Sequence, residues 1–142
     1  MARAIADGAG DFARMVRAQH ANFETMIAAT GLVFVCPENL GGMSGIMKDM
    51  FDRTYYPVLG KIDGLPYATA IAAGSAGQGA ESQIDRIVNG WRLRRIADSL
   101  IVNVNAQSPE SILAWKTVPD EALERCRDMG KAFAEGLSLG IY

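Results

Sequence analysis

The sequence predicts an α/β fold, a parallel sheet covered on both faces by helices, and three observations carry that prediction. Residues 32–36 (LVFVC) and 67–73 (YATAIAA) are apolar runs of the kind a strand needs when both its faces are buried. Each is followed by a glycine-rich loop and then by apolar residues at helical spacing, so the chain repeats a strand, loop, helix grammar. With 142 residues, 49% of them hydrophobic, the chain is long enough for a sizeable core in one domain spanning 1–142. Strands that alternate with helices in this way pair in parallel through right-handed crossovers.

The amino end, MARAIADGAG, reads as the last turns of a helix that stops at Gly8. Phe12 to Arg17 is a short candidate strand, and Arg14 and Arg17 within it place it at a sheet edge. Asn22 is a plausible N-cap for a short helix through Ala29 with Phe23, Met26 and Ile27 on one side. The strand Leu32 to Cys36 leads into a loop from Pro37 to Met43 and a helix from about Ser44, with Ile46, Met47, Met50 and Phe51 forming its apolar stripe.

Pro57, Gly60, Gly64 and Pro66 punctuate the next connection. After the strand Tyr67 to Ala73 comes GSAGQGAES, then a helix from about Ala80 with Ile84, Ile87, Val88 and Trp91 inward. Leu100 to Val104 (LIVNV) is a further strand, and 105–116 is irregular. Thr117 with Asp120 resembles a capping box, with Pro119 in the first turn of a final helix to about Leu137. Its inward residues are Leu123, Cys126, Gly130, Phe133 and Leu137.

Composition excludes several functions. A net charge of −2 and a pI near 5.4 argue against a general nucleic-acid binder. No apolar run is long enough to span a membrane, no signal sequence opens the chain, and Cys36 and Cys126 form no metal-binding pattern, so a cytoplasmic location is expected. The lone histidine, His20, lies in a polar segment and reads as a surface residue. No nucleophile, P-loop or metalloprotease motif occurs. Gly74, Gly77 and Gly79 spell G-x-x-G-x-G, the dinucleotide fingerprint in the wrong order and without its acidic partner.

What remains is a pair of backbone-rich loops at neighbouring strand ends. Open α/β sheets bind ligands there, and two such loops make a slot for a flat ligand held by main-chain N–H and C=O groups. A cofactor that itself performs redox chemistry needs little more. The candidate residues are Pro37, Glu38, Asn39, Leu40, Gly41, Gly42, Met43 and Ser44 in the first loop and Gly74, Ser75, Ala76, Gly77 and Gly79 in the second. Each has a plainer role beside this one. Glu38 and Asn39 present backbone to the ligand or simply form a Pro-x-Asn turn, the former being favoured. Asp52 and Arg53 cap and pair at the end of their helix rather than take part in chemistry. Arg86, Arg92, Arg94 and Arg95 form a solvated basic helix face rather than a nucleotide-phosphate site, and Trp91 belongs to the core.

Residues 37–56 (PENLGGMSGIMKDMFDRTYY) and 72–94 (AAGSAGQGAESQIDRIVNGWRLR) resemble the flavodoxin-like superfamily, in its branch of NAD(P)H-dependent FMN and quinone reductases. The similarity rests on Met43-Ser44-Gly45, Lys48, Phe51, Asp52, Arg53 and Thr54 at the family's spacing, and extends over about the whole chain. It implies a three-layer α/β/α fold with a parallel sheet ordered 2-1-3-4-5, FMN as cofactor, and NAD(P)H as possible electron donor. It also implies that the two loops border the isoalloxazine ring. In that family the first strand leads into a Ser/Thr-rich loop that cradles the FMN phosphate. This chain opens inside the helix that follows, so about four strands are expected instead of five, with FMN binding weakened or lost. If Met1 is internal to a longer product, roughly twenty residues precede it, the usual length of a strand plus loop. Otherwise the first segment slides over the exposed strand, or a second molecule covers it and a homo-oligomer results.

Residues 38–43 contain no aromatic, and an open ring face admits a nicotinamide or quinone. The expected function is therefore a two-electron oxidoreductase acting on a small-molecule acceptor or redox partner. A one-electron carrier and a cofactor-free interaction domain remain as alternatives.

Overall fold

The computed structural model describes residues 1–142. In chain order its elements are α1 (Ala2–Ala9), α2 (Phe23–Ile27), β1 (Leu32–Asn39), β2 (Gly42–Met43), α3 (Gly45–Val58) and β3 (Pro66–Ala73). They are followed by α4 (Gln78–Gly90), β4 (Arg94–Arg95), β5 (Leu100–Asn103), α5 (Pro109–Leu113) and α6 (Asp120–Ser138). The sheet is mostly parallel. β3 lies at its centre, paired with β1 from Leu32 opposite Tyr67 to Pro37 opposite Ala72, and with β5 from Ala70 opposite Leu100 to Ala73 opposite Asn103. The small residues of β3 suit this position: every one but Ala72 is buried.

Side-chain alternation along the strands sends residues to two cores. Phe34, Cys36, Tyr67, Ile71 and Ala73 meet α3 and α4 through Met50, Phe51, Ile84, Val88 and Trp91. Here Phe51 lies 5.2 Å from Phe34 and 5.4 Å from Trp91 between ring centroids, tilted packing that aromatic pairs favour. On the opposite face Ala70, Leu100 and Val102 meet α1 and α6 through Ala4, Ile5, Ala122 and Cys126. The helices are thus divided between the two faces, as the alternating pattern requires.

α1 and α6 cross at two glycines. A Cβ on Gly8 would collide with the Arg127 carbonyl oxygen, and one on Gly130 with that of Ile5. Gly8 is therefore a packing residue, and the residue that ends α1 is Gly10, with φ +61°.

The structure corrects the sequence reading at several further points. Phe12 to Arg17 is not a strand: Phe12 closes a 3-10 turn that starts at Gly10, and Ala13 to Arg17 pairs with no strand. Nor does this segment slide onto β1, so only β1, β3 and β5 are strands of full length, with β2 and β4 two residues each. The irregular stretch contains α5, started by a reciprocal cap between Ser108 and Ser111. The box expected from Thr117 and Asp120 does not form; α6 begins after Pro119 without a side-chain cap. Asn22 does cap α2, through Thr25. Arg53 lies within α3 rather than at its end. It pairs with Asp49 at 2.8 Å and donates to the carbonyls of Ala21 (2.8 Å) and Ala18 (2.9 Å), which fastens the amino-terminal segment to the helix.

Candidate functional site

The two glycine-rich stretches lie at the carboxyl ends of adjacent strands β1 and β3, where their parallel pairing must put them. The first is not an open loop. β1 continues to Asn39 and turns back through Leu40 and Gly41 into β2, with Glu38 opposite Met43 and Asn39 opposite Gly42. Both turn residues have positive φ, 52° at Leu40 and 76° at Gly41, the geometry that matches a two-residue hairpin to strand twist. Glycine adopts it freely, whereas leucine does so at a cost of about 1–2 kcal/mol. The Leu40 side chain projects wholly into solvent at the tip.

The second stretch is joined to the first by side chains that sequence reading assigned otherwise. The Glu38 carboxylate accepts from Gly77 N–H at 2.8 Å through Oε1 and from Ala80 N–H at 3.0 Å through Oε2. It thus satisfies amides at the start of α4 that the helix cannot pair, and places a negative charge at the positive end of its dipole. Gly77, at φ +110°, bends the chain into the helix. One turn on, Gln83 Oε1 accepts from Met43 N–H at 2.9 Å. A Cβ on Gly79 would collide with the Gly41 carbonyl, and one on Gly42 would meet the Gln83 amide at 2.8 Å. The expected slot between two loops is therefore closed, and they form one continuous wall. Glu38 contributes its carboxylate to that wall. The spacing of a strand-end carboxylate and a Gly-rich helix start 39 residues later gave no local signal for this pairing.

The remaining candidates are distributed along this wall. Pro37, Asn39, Leu40, Gly41, Ser75 and Ala76 are exposed, Ser44, Gly74 and Gly79 are half-buried, and Gly42, Met43 and Gly77 are buried beneath. The N–H groups of Ser75, Ala76 and Gln78 make no intramolecular hydrogen bond, and all three residues are exposed. Behind the hairpin, burial pushes the Cys36 thiol above its usual range, the Ser44 N–H opposing and the Glu38 charge adding to the effect. A thiol so held is a packing group and not a nucleophile.

Below the wall a polar cluster ties α4 to the sheet. Tyr67 donates to Asp85 at 3.1 Å, and Arg95 bridges Glu81 (2.6 Å) and Asp85 (3.2 Å) and also reaches Ser99. Burial, with the Asp85 charge, pushes the Tyr67 hydroxyl up to about 12. Burial works against ionised Glu81, yet Ser99 and Arg95 hold its carboxyl below the usual range. Arg95 thus belongs to an internal network and Arg92 pairs with Asp63, so the arginines after α4 do not form one basic helix face.

The comparisons agree with this architecture. Residues 17–103 match the family model described as NADPH-dependent FMN reductase. A flavodoxin from Aquifex aeolicus (strain VF5) is 27% identical over 150 residues, covering 99% of this chain and 80% of the relative. Among solved structures, a flavodoxin from the domain Archaea superposes with a TM-score of 0.70 at 14% identity, over 96% of this chain and 90% of that one. The flavodoxin, WrbA-like protein from Agrobacterium tumefaciens gives 0.67 at 18% identity, over 96% and 87%. A flavodiiron core from Synechocystis sp. PCC6803 gives 0.69 at 16% identity, and there the chain spans only 32% of the longer protein. The matched segment runs from Arg17 through the hairpin, α3 and the Gly74–Gly79 turn to Asn103, the end of β5. With its fold flavodoxin-like and that segment covering more than half its length, the chain belongs to the NADPH-dependent FMN reductase family.

Proposed function

We propose that the chain is a two-electron, NAD(P)H-dependent oxidoreductase that holds FMN loosely, its ring against the outer face of the wall. The observation that carries this reading is the Glu38 bridge to Gly77 and Ala80, which joins two strand-end turns into one rim and leaves the exposed residues Ser75, Ala76 and Gln78 with amides that no group of the chain takes up. The residues present fit the ring better than the phosphate. Backbone donors and a glycine-rich turn suit the polar edge of a flat ring. The amides of Gly77 and Ala80, which would otherwise suit a phosphate, are already taken by a carboxylate.

When bound, FMN would supply the hydride chemistry, accepting from NAD(P)H and passing electrons to a flavin- or quinone-type acceptor. The chain's part is to bind and orient. Ser75, Ala76 and Gln78 donate hydrogen bonds, Glu38 and Gln83 keep the two turns in register, and Leu40 offers an apolar contact at the tip. Neither stretch contains an aromatic residue to cover the ring, which leaves a face for nicotinamide or acceptor. Ring contacts at this wall alone hold FMN loosely, since a ligand anchored at one end recovers less of its ordering cost.

Titration with FMN, followed by flavin fluorescence and then by NAD(P)H oxidation with a quinone acceptor, tests the reading. Saturable quenching that dialysis reverses, with two-electron turnover, is expected. Absence of any spectral change at high FMN would overturn it in favour of a cofactor-free interaction domain, the reading that the occupied start of α4 favours. A stable semiquinone on photoreduction without NAD(P)H turnover would replace it with a one-electron carrier.

A further inference from the structure

Between Val102 in β5 and Ala122 in α6 no residue is buried. This stretch lies at the end of the sheet that carries the Gly74–Gly79 turn, because β5 runs parallel to β3 and delivers the chain there. It starts beside the candidate site: Ala106 N–H donates to the Gly74 carbonyl at 2.7 Å, and Val104 N–H to that of Ala73 at 2.9 Å. From Gln107 to Val118, by contrast, every hydrogen bond stays inside the segment. The segment nevertheless has a formed centre. The Ser108–Ser111 cap starts α5, and Lys116 Nζ closes its far end by donating to the Ile112 carbonyl at 2.8 Å. α5 is thus a small preformed paddle, and it holds Ile112, Leu113 and, just beyond it, Trp115 in solvent, 58%, 87% and 95% exposed. On one side of the paddle Asn105 is left-handed, at φ 53°, its N–H donating to the Asn103 side chain. On the other, Val118 packs against the core between the sheet, α1 and α6. Folding gains little from three apolar side chains kept together in water on a segment without buried residues, and such segments are the first to move.

We propose that residues 107–118 are a cover for the ring site, with Trp115 the side chain that closes over the outer face of the bound ring. The proposal rests on the flavin reading above. Neither strand-end turn carries an aromatic side chain, and a flat ring held by amides on one side leaves its other side to water. An indole is the side chain best shaped to stack there, and closing would bury Trp115 and Leu113 together with the ring. The reach is sufficient. With α5 rising about 1.5 Å per residue and the remaining links about 3.3 Å, Trp115 extends up to about 20 Å from Ala106, whereas β1 and β3 lie only about 4.8 Å apart. In the open position of this structure the ring face is free for nicotinamide or acceptor; closed, the paddle excludes water from it.

The test uses the whole chain with FMN as the probe and reads two quantities, FMN affinity from flavin fluorescence and the rate at which trypsin cuts after the exposed Lys116. Saturating FMN is expected to slow that cut at least tenfold. Trp115→Ala should bind FMN about tenfold more weakly and lose most of the protection, while melting at the parent's temperature because Trp115 is outside both cores. Trp115→Phe, which keeps a flat ring, should restore most of both. Saturable FMN binding with an unchanged cut after Lys116, or equal affinity in the parent and Trp115→Ala, would overturn the cover and leave the flavin reading standing. Absence of FMN binding by the parent would overturn both. Protection of Lys116 that grows with protein concentration in the absence of FMN, alongside a dimer in sedimentation, would overturn the cover in favour of a contact between copies.

Discussion

Replacing Glu38 by alanine removes the one side chain that joins the hairpin to the start of α4. Two amides lose their acceptor, Gly77 N–H at 2.8 Å and Ala80 N–H at 3.0 Å, and the helix loses a charge at its positive end. Hydrogen bonds to an ionised acceptor contribute about 1.5–3 kcal/mol each when buried. Here Glu38 is only half-buried and water can replace part of the loss, so the full sum does not apply. Loss of a helix cap alone costs about 0.5–2 kcal/mol. We therefore expect Glu38→Ala to destabilise by about 2 kcal/mol, and Glu38→Gln, which keeps one good acceptor, by about half as much. For a chain between the small and medium size classes, that corresponds to a fall in melting temperature of roughly 6–10 °C. Urea unfolding followed by circular dichroism measures the change, and hydrogen exchange at 77–80 localises it. If Glu38→Ala unfolds within about 0.5 kcal/mol of the parent, the carboxylate is a passenger on a wall held by Gln83 and backbone packing, and the argument that Glu38 makes the rim rigid fails.

Three further outcomes are expected. Gly130→Ala forces a methyl against the Ile5 carbonyl and should cost at least the 1–3 kcal/mol typical of overpacking, with the loss visible in urea midpoints and in exchange along α1. Leu40→Gly relieves a left-handed leucine and should raise stability by up to about 1 kcal/mol, part of the relief being lost to greater freedom of the unfolded chain; a lower melting temperature would show that the Leu40 side chain has a partner. Tyr67 contributes a pH dependence. Its folded value of about 12 lies above the unfolded value near 10, so the unfolded state loses its proton first, and this contribution is intact below pH 10 and lost as the pH rises towards 12. Melting temperature should therefore fall more steeply across that window in the parent than in Tyr67→Phe.

The sequence was most legible where a single face of an element set the answer. Apolar runs at 32–36 and 67–73 mark β1 and β3, and the spacing of Ile84, Val88 and Trp91 marks α4, because burial imposes a period that local reading detects. It was least legible at Phe12 to Arg17. That segment has strand-like composition, but strand formation requires a neighbour at the right distance, and it pairs with no strand of residues 1–142. Pro37 to Met43 reads as a loop because proline and glycine dominate it. The tight reversal at Leu40 and Gly41 is invisible locally, since leucine gives no sign of positive φ.

By itself, then, the sequence determined the parallel α/β architecture and the order of its main elements, β1, α3, β3, α4, β5 and α6, for periodicity is a property of neighbouring residues. It also placed two glycine-rich stretches at adjacent strand ends, which parallel pairing then guarantees. Tertiary structure alone decided how those stretches meet. The Glu38 carboxylate finds amides 39 and 42 positions away, Gln83 finds one 40 positions away, and no local pattern encodes a contact across such separations.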